Sequence, residues 1–232
     1  MIILAIDTSC EQASCALYID GVITDKKSAE DKKKHSSVLM PMVMGFLSEN
    51  NLKVSDVDKF AVGCGPGSFT GIRIGIAAVK AMAYAVEKPV AAGKSLDVLA
   101  NKYDGTVQTV CPMIDARNRQ VYTAIYRWTG HYYKPLTDYM GITVDRLADM
   151  LKEEDCPVAI CGDAHEKYLN FLNGKIPGNR ISGDAENKYP KASVLAAMVA
   201  RGNPLLEFGD ATSVLPFYLR ESQAERLYDA GK

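Results

Sequence analysis

The sequence lacks any excess of charge: 27 basic and 28 acidic side chains leave a net charge of −1. A chain that binds nucleic acid unaided ordinarily carries a basic excess or a basic stripe. Direct binding of that kind is therefore not expected, and Lys26-Lys27 and Lys32-Lys33-Lys34 read as a solvated loop. Long apolar runs are also missing. The opening MIILAI stops at Asp7 and has no positively charged region before it. It reads as a buried first strand, neither a signal peptide nor a membrane span, which places the chain in the cytoplasm. Closely spaced cysteine pairs are absent. Cys10/Cys15 and Cys156/Cys161 are C-x4-C with apolar neighbours, so the thiols read as buried structural groups in a reducing compartment. Histidine is scarce, at three residues, and His35 has Leu39 where a helical metal site needs a second histidine four positions on. No G-x-S-x-G elbow is present, and no lysine follows the glycine-rich loop as a Walker A motif requires.

What remains is ordinary globular composition, 47% hydrophobic and 24% charged over 232 residues, enough for one large domain or two small ones. The first part of the chain reads as strands over 2–8, 13–19 and 22–28. A helix capped by Ser36 or Ser37 and ending at Glu49 follows, then a buried strand at 60–64. The loop GPGSFTG at 65–71 feeds a helix to about Val86, and a short helix lies near 96–100. The pattern then restarts, with an apolar run at 107–115, a strand over 120–128 and another at 158–161. Helices are expected near 144–152, 166–172 and 192–201. Ile6 with Ile114, Asp7 with Asp115, Gln12 with Gln120, Ala16 with Ala124 and Tyr18 with Tyr126 share one offset of 108 (115 − 7). Two similar α/β lobes follow from this repeat, residues 1–104 and 105–232, each a β-β-β-α-β-α unit with ligands expected where strand ends meet.

Two groups of residues are candidates for function. Asp7 and Thr8 sit where a strand turns into a hairpin, with Asp115 as the mirror in the second lobe. An aspartate there can hold the metal of a metal–phosphate complex, while Ser68, Thr70 and Arg73 at a helix N-terminus offer donors to phosphate. The glycine that would let a phosphate approach the backbone after Asp7 is missing. Strand-end turns and a tight strand-to-helix turn remain the alternative for both. The second group is helical. Leu39, Met40, Val43, Met44 and Leu47, with Ile72, Gly75, Ile76, Val79 and Met82, lie on two helices apolar nearly all round. Such helices need cover on two sides, and these residues are expected to bind another chain unless they are buried within this one.

IDTSC at 6–10, HSSVL at 35–39, GPGSFTGIRIG at 65–75, DARNRQVY at 115–122 and PFYLR at 216–220 together resemble the TsaB (YeaZ) family. The resemblance implies an actin-like (ASKHA), duplicated ribonuclease-H-like fold. It also implies a part in bacterial biosynthesis of threonylcarbamoyladenosine beside the tRNA anticodon. That part would be a non-catalytic scaffold that dimerises with and activates TsaD and assembles with the ATPase TsaE. A homodimer is expected when the chain is alone, with tRNA reached only through the complex and no membrane contact. No tightly bound cofactor and no metal are implied, with ATP or ADP held at the partner interface. The metal-binding H-x-x-x-H of TsaD-like chains is reduced here to His35 and Leu39. The alternative is a metallopeptidase-like or nucleotide-hydrolysing enzyme of the glycoprotein endopeptidase type. The segment 215–232 is expected to return across the first lobe.

Overall fold

The computed structural model describes residues 1–27, 35–176, 178 and 180–219. The Lys32–Lys34 run, the side chains of His35 and Ser36, and the tail beyond 219 lie outside the described residues. Strand β1 (Ile2–Asp7) is the centre of the first sheet, antiparallel to β2 (Ser14–Ile19) and parallel to β4 (Lys59–Gly65). Its unbroken apolar run reflects cover on both faces. Leu4 and Ile6 point into one core and Ile3 and Ala5 into another. Asp20 and Gly21, both at positive φ, turn β2 into β3 (Val22–Lys27), as a two-residue hairpin of this hand requires. Helices α1 (His35–Glu49) and α2 (Phe69–Ala85) cover the Leu4/Ile6 face, and β5 (Val90–Lys94) extends the sheet beside β4. A short helix, α3 (Ser95–Asn101), follows.

The second sheet repeats the plan. Strands β6 (Thr109–Arg117), β7 (Gln120–Thr123) and β10 (Met140–Thr143) form the meander. Helix α4 (Val144–Lys152), β11 (Val158–Cys161), α5 (His165–Lys175), β12 (Ile181–Gly183) and α6 (Ala192–Ala200) complete it. The orders β3-β2-β1-β4-β5 and β10-β7-β6-β11-β12 match strand for strand, as the offset of 108 predicts. Relative to the β-β-β-α-β-α unit, the first adds β5 and α3, and the second adds β12, α6 and a further hairpin. The strand expected over 120–128 is broken at Ala124-Ile125. Its first half, β7, pairs with the end of β6. Its second half, β8 (Tyr126–Trp128), pairs with the start of β6 and forms a hairpin with β9 (Tyr133–Pro135).

Helices α3 and α6 each pack on the sheet of the other segment. Helix α3 packs on the second sheet with Val110, Ile114, Ala124 and Tyr126. Helix α6 packs on the first, against Ile3, Ala5, Ala16, Ala61 and Ala91. Each unit thus covers the sheet of the other with its last helix. The chain stays with the first sheet afterwards, where β13 (Glu207–Gly209) pairs antiparallel with β5. The return therefore begins at Ala192 rather than Leu215, because the Ala-rich inner face of the first sheet needs an apolar helix to exclude water. A strap over 211–219 completes the return. Ala211 and Val214 enter the first-lobe core, and Leu219 reaches the core around Tyr126. At this junction Asp97 of α3 is fully buried and accepts hydrogen bonds from Tyr126 Oη (2.7 Å) and Tyr139 Oη (2.9 Å). Burial pushes its carboxyl up to about 6, against the opposing effect of both hydroxyls.

Candidate functional site

Asp7 ends β1 only 1% exposed. Ser9 folds back on it, donating from its amide (2.9 Å) and its hydroxyl (2.7 Å) to Oδ1. Among the described residues Oδ2 has no hydrogen-bond partner, and it lies against Gly63, where a Cβ would overlap it. Burial raises the carboxyl to about 6. The loop before α2 closes over the same turn. Ser68 N donates to Ser9 O (2.6 Å), and Thr8 Oγ1 donates to Gly71 O (2.7 Å). The amide of Gly71 is taken by the Ser68 side chain as helix cap. A Cβ at Gly67 would overlap Ser9 O, at Gly71 Thr8 O, and at Gly75 Thr8 Oγ1. The glycines of this loop therefore serve a backbone-to-backbone contact with Thr8 and Ser9. Two amides of the loop are engaged within the chain, Ser68 N on Ser9 O and Gly71 N on the Ser68 hydroxyl, and Asp7, Thr8 and Ser9 are buried. At this turn the space beside the loop glycines is filled by Thr8 and Ser9 of the chain itself.

The remaining expected phosphate ligands do not converge on Asp7. Thr70 and Arg73 face solvent, and the Arg73 side chain turns to the strap, donating from Nε to Tyr218 Oη (2.8 Å). Asp115 sits in its own lobe, its amide donating to Asp163 Oδ1 (2.8 Å) and its Oδ2 paired with Lys167 Nζ (3.3 Å). Among the described residues no three metal-ligating side chains come together.

The helical candidates divide by face. Leu39, Val43 and Leu47 of α1 and Ile72, Ile76, Val79 and Met82 of α2 lie in the first-lobe core, and Gly75 is buried against Thr8. These eight positions are not a docking surface. They are the stripe that the sheet demands at helical spacing. Only Met40 (37% exposed) and Met44 (46%) of the expected set face outward. Beside them the outer face of α1 offers Pro41, and that of α2 offers Arg73, Ala77, Ala81 and Tyr84, the last 73% exposed. Both helices cover the same side of one sheet, so these outer faces form one surface. Sequence reasoning named Arg73 only as a phosphate donor and did not name Ala77, Ala81 or Tyr84, because it chose among the apolar positions of helices apolar nearly all round without separating their two faces. The signal was present: 73, 77, 81 and 84 follow one another at helical spacing on the other side from 72, 76, 79 and 83.

Comparison with known proteins bears directly on this arrangement. Residues 23–226 match the family model described as TsaD: tRNA N6-adenosine threonylcarbamoyltransferase. The tRNA threonylcarbamoyladenosine biosynthesis protein TsaB of Bacillus subtilis is 31% identical over 228 residues, covering 97% of this chain and 96% of that one. Its Escherichia coli counterpart is 36% identical over 130 residues, 55% of each chain. The solved structure of YeaZ from Pseudomonas aeruginosa superposes with a TM-score of 0.77 at 29% identity, over 94% of this chain and 99% of that one. With the duplicated sheets in place and the relationship running nearly end to end, the chain belongs to the TsaB (YeaZ) family.

Proposed function

We propose that this chain acts in tRNA threonylcarbamoyladenosine biosynthesis as a non-catalytic subunit that docks a TsaD-type transferase through the outer face of α1 and α2. The observation that carries the reading is that face itself. Met40, Pro41 and Met44 stand beside Ala77, Ala81 and Tyr84, on helices whose other side is already used by the sheet. Flexible methionines and small residues suit close helix–helix contact. The engaged amides around Asp7 support the same reading, since they leave the nucleotide chemistry of the assembly to its partners, TsaD and the ATPase TsaE. In the assembly this subunit binds and orients. Transfer to tRNA takes place on the partner, and tRNA is reached through the complex. A second copy of the chain takes the same face when the transferase is absent.

Light scattering after size exclusion tests this. The chain alone is expected as a dimer that is replaced by a mixed complex when the TsaD protein of the same genome is added. Met44→Asp removes both species while leaving the thermal midpoint of the monomer in place. A strict monomer indifferent to TsaD refutes the docking role.

A further inference from the structure

Arg73 is held in place rather than free. It stands in the second turn of α2, with its guanidinium carbon 3.8 Å over the Phe69 ring centroid. Its Nε donates to Tyr218 Oη at 2.8 Å. The Tyr218 ring in turn stacks on Phe69, with centroids 4.8 Å apart and planes within 23°. The strap that delivers Tyr218 is anchored independently. Lys80 Nζ donates to Thr212 O (3.1 Å) and Val214 O (3.2 Å), and Phe217 N donates to Cys64 O (2.8 Å). A guanidinium carries five N–H donors in one plane. Tyr218 takes the Nε side, and among the described residues no hydrogen-bond partner takes the two terminal nitrogens, which form a fork. The side chain is exposed, and no carboxylate among the described residues pairs with it.

An ordinary surface arginine loses much rotamer freedom on binding, whereas one clamped by a ring and a hydroxyl has already lost it. A planar two-pronged donor matches a carboxylate or a phosphate, and of these a protein surface supplies the carboxylate. The first turn of α2 adds the positive end of a helix nearby. Arg73 also lies on the outward face of α2, in line with Ala77, Ala81 and Tyr84. We propose that Arg73, held by Phe69 and Tyr218, is the carboxylate-recognition point of the docking face and takes an Asp or Glu side chain of the bound protein. This rests on the docking role proposed above.

Calorimetric titration of the TsaD protein of the same genome into the full chain, at low and high salt, is the test. Arg73→Gln is expected to weaken binding about 10- to 100-fold, the range for lost charge-assisted hydrogen bonds, and to flatten the salt dependence. Arg73→Lys recovers little of that, because a point charge lacks the fork. Tyr218→Phe, which keeps the stack and frees Nε, weakens binding a few-fold with an unchanged thermal midpoint. If Arg73→Gln binds like the parent while Met44→Asp does not, the carboxylate site is wrong and the docking face stands. If the parent chain itself fails to bind, both fall. Full rescue by Arg73→Lys overturns the fork. If Arg73→Gln also releases the Phe217 amide to hydrogen exchange, Arg73 is a lock for the strap, and the proposal fails.

Discussion

Helices α1 and α2 of the first lobe and α4 and α5 of the second hold the same places in a duplicated topology, yet their outer faces differ in kind. Helix α4 buries Val144, Leu147, Ala148 and Leu151 and turns Asp145, Arg146, Asp149 and Lys152 to solvent. Its charges are settled locally, Lys152 on Asp149 (2.8 Å) and Asp145 on Arg119 (3.1 Å). Helix α1 buries the equivalent stripe and turns Met40, Pro41 and Met44 outward instead. The fold demands only the inner stripe, because a sheet must be covered. The outer face is left unspecified by folding, so a departure from the ordinary charged surface on one lobe alone marks where another surface is met. The hairpin turns diverge as well. The β1–β2 turn is buried under the α2 loop, while the β6–β7 turn lies at the surface with Arg117, Asn118 and Arg119 all at positive φ.

The largest effect should come from crossing the inner stripe. Val79→Asp places a carboxylate at a fully buried position and is expected to cost about 4 kcal/mol or more, leaving little folded chain by circular dichroism. Arg146→Asp on the exposed face of α4 should move the thermal midpoint hardly at all, by about 0.5 kcal/mol or less. If Val79→Asp folded normally, the division into inner and outer faces would be wrong.

Next in size is the pH dependence at the lobe junction. The folded chain holds the Asp97 proton up to about pH 6, against an ordinary value of 3.8. Its contribution to stability is therefore complete below about pH 4 and is lost as pH rises through 6, amounting to a few kcal/mol. Asp97→Asn removes this loss. Urea denaturation should show the variant gaining on the parent between pH 4 and 7, and parallel curves would dismiss the effect. Met44→Asp, by contrast, acts on association alone, weakening it by about 2 kcal/mol or more, the size of an interface anchor. The matched control, Arg146→Asp on the exposed face of α4, should leave association unchanged by the same light-scattering measurement. The smallest effect belongs to the strained turn. Arg117→Gly relieves a positive φ at a side chain facing solvent and should raise stability by about 0.5–1 kcal/mol in thermal melts without altering association.

Much of the fold was legible from local pattern. The apolar run of β1, the Asp20-Gly21 turn and the repeat from Asp7 to Asp115 all involve residues near one another or a simple periodicity. The glycine-rich loop was legible as unusual but not in purpose. Gly67, Gly71 and Gly75 look like a cradle for a phosphate until Thr8 and Ser9 are found inside it. The break at Ala124-Ile125 was invisible, since no glycine or proline marks it and β7 and β8 keep one continuous register on β6 on either side.

Sequence alone determined the helices and about half of the strands, that the unit is duplicated, and that α1 and α2 carry too much apolar surface for one sheet to cover. Periodicity and composition act within a segment, so they are readable there. Tertiary structure decided which apolar residues are core and which are surface, that α3 and α6 cross to opposite sheets, and that Tyr218 reaches Arg73. Each of these depends on contacts between segments far apart in the chain. Such contacts are selected by which faces must exclude water together, and no local pattern encodes that choice.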